Sequence, residues 1–152
     1  MLEVCLRYGT ALFSLALETD KVIKWQQEMK ELIYLIEENG ELLELLNSKF
    51  VSIDERKDIV DNVLLFEDEE LSSFIKLILD NGRISYLKDI LYSFNTLCNR
   101  HRGILEGYVY SVEQLNKSQI ESIENALSKK EGKIIELRNL IDKSLIGGLK
   151  VV

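Results

Sequence analysis

The stretch K-L-I-L-D-N-G-R-I-S-Y-L, residues 76–87, reads as one helix ending and another beginning with almost nothing between them. Ile75, Leu77, Ile78 and Leu79 form an apolar run, Asp80-Asn81-Gly82 interrupts it, and Arg83 to Leu87 resumes a helical pattern. Asn and Gly tolerate the left-handed conformation that closes a helix, so the stop is physical. The run carries more apolar surface than one core-facing stripe requires. That surplus, together with the joint, sets the fold and points to a use for one face.

Working outward, the first helix covers about residues 3–18, where Leu6, Phe13 and Leu17 lie on one side. Tyr8, Ala11, Leu12 and Leu15 widen its apolar arc well beyond about 100°. Thr19-Asp20 is the expected cap of a second helix carrying Val22, Ile23, Trp25, Met29, Leu32, Ile33 and Ile36, with Asn39-Gly40 its left-handed stop. A third helix runs from Glu41 to Leu46. Ser52, with Glu55 three residues on, gives a capping-box pattern for a fourth, whose apolar side is Ile59, Val60, Val63 and Leu64. The fifth spans Glu69–Asp80 and the sixth Ile84–Asn99. Residues 1–102 are thus expected to form a six-helix bundle.

The pattern changes at Gly103. Ile104 to Val112 is β-branched and aromatic and predicts a strand. Asn116 is positioned to cap a helix ending before Gly132. Lys133–Leu140 and Leu149–Val152 read as further strands, with Gly147-Gly148 a tight approach or bulge. Residues 103–152 are therefore expected to be a small α+β module, so the chain is mainly α overall.

Composition narrows the function. A net charge of −7 and 30% charged residues describe a globular acidic chain without the basic surface that phosphate backbones require, so no nucleic-acid partner is expected. No segment approaches the roughly 18 consecutive apolar residues of a membrane span, so direct membrane insertion is not expected either. Cys5 and Cys98 sit in apolar helical patterns and read as buried small hydrophobes, in keeping with a reducing compartment. The single histidine, His101, lies between Arg100 and Arg102, where cations complement the negative pole of the sixth helix. No acid, base and nucleophile set can be assembled around it. The acidic run Glu67–Glu70 fits a helix start, and no phosphate-loop or EF-hand spacing occurs. No catalytic residue, metal or cofactor is expected. Two helices apolar nearly all round, side by side, would instead make a groove for an amphipathic helix of another chain.

Four motifs are familiar. R-Y-G-T-A-L-F-S-L-A-L-E, residues 7–18, resembles the opening R-Y-A-x-A-L-F-x-L-A of the delta subunit of F-type ATP synthases, the bacterial relative of the mitochondrial oligomycin-sensitivity-conferring protein. V-I-K-W-Q-Q-E-M, with Trp25, resembles that family's second helix. L-I-L-D-N-G-R, residues 77–83, resembles its L-x-x-N-G-R joint. L-I-D-K-S-L-I-G-G-L-K-V-V, residues 140–152, resembles its C-terminal signature, here Asp142, Ser144, Leu145, Gly147 and Gly148.

The resemblance implies a non-catalytic stator subunit, peripheral on the cytoplasmic face of a bacterial cell membrane. Its bundle would bind the N-terminal helix of an alpha subunit of the catalytic head between the first and fifth helices. Its C-terminal module would meet the end of the b-subunit stalk. Matched by motif, the groove residues are Tyr8, Ala11, Leu12, Leu77, Ile78 and Asn81. The family continues past the Gly-Gly strand into a turn and closing helix that this sequence lacks, marking the module as truncated or naturally reduced. Gly9 and Thr10 stand where Ala and Lys are common, which lowers helix propensity. The residues alone also fit a free helical adaptor using the same groove, whereas a small hydrolase or metal enzyme would require a converging acid, base and ligand set in the structure.

Overall fold

The computed structural model describes residues 2–152 and is mainly helical, with seven α-helices and one three-stranded sheet among them. The helices are α1 (Leu2–Glu18), α2 (Val22–Glu38), α3 (Gly40–Leu46), α4 (Ile53–Ile59), α5 (Glu69–Asp80), α6 (Leu87–Arg102) and α7 (Lys117–Glu131). The strands are β1 (Ile104–Ser111), β2 (Ile134–Ile141) and β3 (Lys150–Val151). The chain divides into two compact units, one ending at Cys98 and the other beginning at Asn99, so the division falls inside α6.

The first unit is organised around Trp25, Phe94, Leu12, Met29, Leu71 and Ile75, all fully buried. Gln26 lies among them, and its amide donates to Asn95 Oδ1 at 2.8 Å, which satisfies a polar group that burial would otherwise penalise. Cys5 and Cys98 are both free and buried. On α1 the core side is Cys5, Leu12 and Ala16, whereas Leu6 and Leu17 are exposed. Gly9 belongs to the core side as well. A Cβ there would lie 2.8 Å from Ser93 Oγ and 3.1 Å from Phe94 N, so α1 and α6 meet more closely than any other residue permits.

The joint between α5 and α6 closes as the sequence suggested. Gly82 has φ of 68°, its N–H donates to Leu79 O, and Arg83 N–H donates to Ile78 O, both at 3.0 Å. That pair of bonds is a Schellman motif. Before α6 proper, Ile84–Tyr86 form a 3-10 turn, and α6 then runs to Arg102, beyond the expected Asn99.

Several local expectations need correction. Thr19-Asp20 does not cap α2; Lys21 is its N-cap residue, without a side-chain bond. Asp20, at φ of 55°, instead ends α1 in the same Schellman arrangement, with Lys21 N–H donating to Ala16 O at 2.8 Å. Asn39-Gly40 supplies no left-handed stop either: Asn39 has φ of −130°, and Gly40 is already the first residue of α3. Ser52 does cap the fourth helix, its hydroxyl accepting from Glu55 N–H at 3.1 Å, which is one half of the expected box. The helix passes after Ile59 into a π-helical turn, Val60–Leu64, stopped by Leu65 in the left-handed region at φ of 47°.

In the second unit β1 is central, parallel to β2 and antiparallel to β3. The β1–β2 crossover is α7, and Asn116 and Gln119 cap it with the full reciprocal box. Asn139 ties the sheet to its connection, accepting from Leu115 N–H at 2.8 Å and donating to Val109 O at 3.0 Å. The close backbone approach assigned to Gly147-Gly148 is not there. Those residues form a turn with φ of 68° and 79°, and nothing lies within 4 Å of a Cβ at either. The tight spot is Gly107, where a Cβ would come within 2.8 Å of Val152 O.

Candidate functional site: a cleft along the first and fifth helices

A cleft of about 980 Å³ runs along α1 and α5. Its α1 wall repeats at helical spacing through Val4, Tyr8, Ala11, Leu12 and Leu15. Its α5 wall is Ser73, Phe74, Leu77 and Asn81. Two contacts set the spacing of the walls. Asn81 Nδ2 donates to Tyr8 Oη at 2.7 Å, and the Tyr8 ring meets the Phe74 ring edge-on, with centroids 6.3 Å apart. An edge-to-face aromatic pair holds its geometry without filling the cleft.

Tyr8, Ala11, Leu12, Leu77 and Asn81 all line this cleft. Ile78 does not: it is fully buried, one residue round the helix from Leu77, which is 49% exposed. Leu12 is only 1% exposed and forms the floor. The motif-matched set omits Phe74, which lies at the contact between the walls. It also omits the charged rim, Arg7 and Arg83 together with Glu69 and Glu70. Apolar periodicity carries no signal for such a rim; only the approach of the two helices assembles it.

The C-terminal signature builds a turn between β2 and β3. Asp142 Oδ1 accepts from Ser144 Oγ at 2.5 Å and from Ser144 N–H at 3.0 Å. The Ser144 hydroxyl first, then its N–H, hold the Asp142 carboxyl below the usual carboxylate range. Leu145 is half-buried, and Ile146 projects fully into solvent. Gly147 and Gly148 then bring Lys150–Val151 alongside Val109 and Tyr110.

A second charged cluster stands where α2 meets the start of α5. Trp25 Nε1 donates to Asp68 at 2.7 Å, and Lys21 and Lys24 approach the same carboxylate at 3.3 Å. The indole bond first, then the two ammonium groups, depress the Asp68 pKa. Its partners are all structural, so it anchors α5 against α2. No group of His, Cys, Asp and Glu able to hold a metal occurs among the described residues. No described helix is long and apolar enough to cross a membrane.

Comparison with known proteins gives the cleft its context. The chain is 34% identical to an ATP synthase subunit delta of Alkaliphilus oremlandii over 148 residues, covering 95% of this chain and 81% of the relative. It is equally similar to that of Mycoplasma mobile over 145 residues, with the same coverage. The Bacillus thuringiensis subunit delta is 32% identical over 149 residues, covering 97% of this chain and 83% of the relative. A chain in a structure of the Toxoplasma gondii mitochondrial ATP synthase hexamer superposes with a TM-score of 0.73 at 17% identity, over 91% of this chain and 77% of that one. At that identity the likeness speaks for the fold alone. The family model of the ATP synthase delta (OSCP) subunit matches residues 4–152. With its helical joint, cleft and C-terminal turn all inside that match, the chain belongs to the ATP synthase delta (OSCP) subunit family.

Proposed function

We propose that this chain is a non-catalytic stator subunit of an F-type ATP synthase, whose first unit acts as a six-helix bundle gripping the catalytic head. The bundle receives the N-terminal helix of an alpha subunit in the α1–α5 cleft. Tyr8, Ala11, Leu77 and Asn81 make the contacts, Leu12 forms the floor, and Ile78 acts from beneath by holding α5 in place. The second unit meets the C-terminal end of the b-subunit stalk, so that head and stalk stay joined while the rotor turns. The protein sits peripherally at the cytoplasmic face of the membrane through these partners.

One observation carries the reading: Leu77 lies half-exposed in a cleft whose opposite wall is Tyr8 and Ala11. An amphipathic helix laid there would bury what the fold leaves open, in the helix-in-groove mode. A stator joint must resist torque, and nanomolar affinity corresponds to about −12 kcal/mol, within reach of a few well-buried anchors. Calorimetric titration of the full chain with an alpha-subunit N-terminal peptide tests it. Tyr8→Ala and Leu77→Asp should each weaken binding while the helical signal stays intact; unchanged affinity in both folded variants refutes the cleft assignment.

A further inference from the structure

The charged residues around the cleft are sorted by sign. Asn81 ends α5 and is bonded to Tyr8, so Arg7, next to Tyr8 on α1, stands near that end of the cleft. Arg83 lies two residues past Asn81, held to the end of α5 by its N–H bond to Ile78 O. Glu69 and Glu70 open α5 at the other end, about 17 Å away at the helical rise per residue. Opposition to the α5 macrodipole accounts for Arg83 and the two glutamates. It does not account for Arg7, which stands in the N-terminal half of α1, where a cation gains nothing from its own helix. The Arg7 ion pair with Glu3, at 3.8 Å between side chains 75% and 88% exposed, holds it only weakly.

Resting on the reading of the cleft as a helix-docking site, we propose that these two charged ends decide which way round the docked helix lies. The partner helix carries acidic side chains that lie over Arg7 and Arg83 and basic side chains that lie over Glu69 and Glu70. The apolar walls fit a helix of either direction, since Leu and Phe contacts have no sense along the axis. The ends lie farther apart than the Debye length of about 8 Å at physiological salt, so each selects its own partner charge. Rim charges of this kind govern orientation and salt dependence more than affinity.

The test uses the full chain, labelled with nitrogen-15, and two synthetic amphipathic peptides sharing one apolar stripe. One has paired glutamates at its amino end and paired lysines at its carboxyl end; the other has them exchanged; both carry a nitroxide at the amino end. The first peptide should broaden the Gly82 amide and spare Leu71, and the second should do the reverse. Their affinities should agree within about tenfold, because exposed pairs contribute little each. Broadening at the same end with both peptides, or at both ends with each, overturns the proposal while leaving helix docking standing. Absence of any shift at Leu77 with either peptide overturns the docking reading and the proposal together. As a second arm, Arg7→Glu and Arg83→Glu combined with Glu69→Lys and Glu70→Lys keeps the net charge and should invert both patterns.

Discussion

Leu77 and Ile78 are neighbours in sequence with opposite surroundings, and replacing each by alanine separates docking from folding. Ile78 is fully buried. Removing its side chain to alanine should cost about 2–5 kcal/mol, the usual range for a buried Ile with the cavity it leaves. Leu77 retains 49% of its surface in the cleft. Complete burial of such a side chain stabilises by about 1.5–3 kcal/mol, so the exposed half offers a docked helix roughly 0.7–1.5 kcal/mol. Leu77→Ala should therefore raise the dissociation constant for the alpha-subunit peptide about three- to tenfold. The half that the fold already buries is of similar size, so stability should fall by no more than about 1.5 kcal/mol. The assay is urea unfolding followed by Trp25 fluorescence, beside calorimetric titration. Trp25 is the single tryptophan and is fully buried in the first unit, so it reports that unit alone. With a urea slope of about 1–3 kcal/mol per molar, Ile78→Ala should lower the midpoint by about 1–3 M. Stability loss above about 2 kcal/mol in Leu77→Ala, or unchanged affinity in it, would refute the division of α5 into a core face and a docking face.

Three further perturbations test the supporting structure. Gly9→Ala gains about 1 kcal/mol of helix propensity but forces the Phe94 backbone at 3.1 Å to move, so net destabilisation of about 1–2 kcal/mol is expected in the same fluorescence assay. A stabilised variant would show that α1 and α6 are less closely packed than described. The Asp68 pKa is lower folded than unfolded, so its contribution is fully present above the unfolded value of about 4 and is lost as pH falls through the folded value. Urea midpoints measured from neutral to acid pH should therefore fall less steeply below about pH 4 in Asp68→Asn than in the parent; parallel profiles count against the Trp25–Asp68 anchor. Asp142→Ala removes both bonds from Ser144 and should speed hydrogen exchange at Tyr108 and Val152, which exchange two 2.8 Å bonds; unchanged protection would show that the turn does not hold β3.

What could be read from the chain divides along physical lines. Ser52, Asn116 and Gly82 act within a few residues of themselves, and each does the local task its type implies. Asp20 does the task usually given to glycine, and a composition-based reading takes it for a cap. The π-helical turn at Val60–Leu64 shares its residues with an ordinary amphipathic helix, so only tertiary packing distinguishes the two. Among the candidate contacts, periodicity flags both Leu77 and Ile78 as surplus, yet cannot say which of two adjacent apolar positions faces the core. Gly9 reads as a weak helix former until α6 is placed against it. Arg7, Arg83, Glu69 and Glu70 acquire a common role only once α1 and α5 line one cleft.

The central claim is that the α1–α5 cleft receives a helix of the catalytic head. Nitrogen-15 shift mapping on the full chain, titrated with an alpha-subunit N-terminal peptide, addresses it most directly. The account predicts saturable one-to-one shifts concentrated at Tyr8, Ala11, Leu77 and Asn81, with the sheet residues Val109 and Ile135 unmoved. Shifts confined to residues 99–152, or none at saturating peptide, would contradict it.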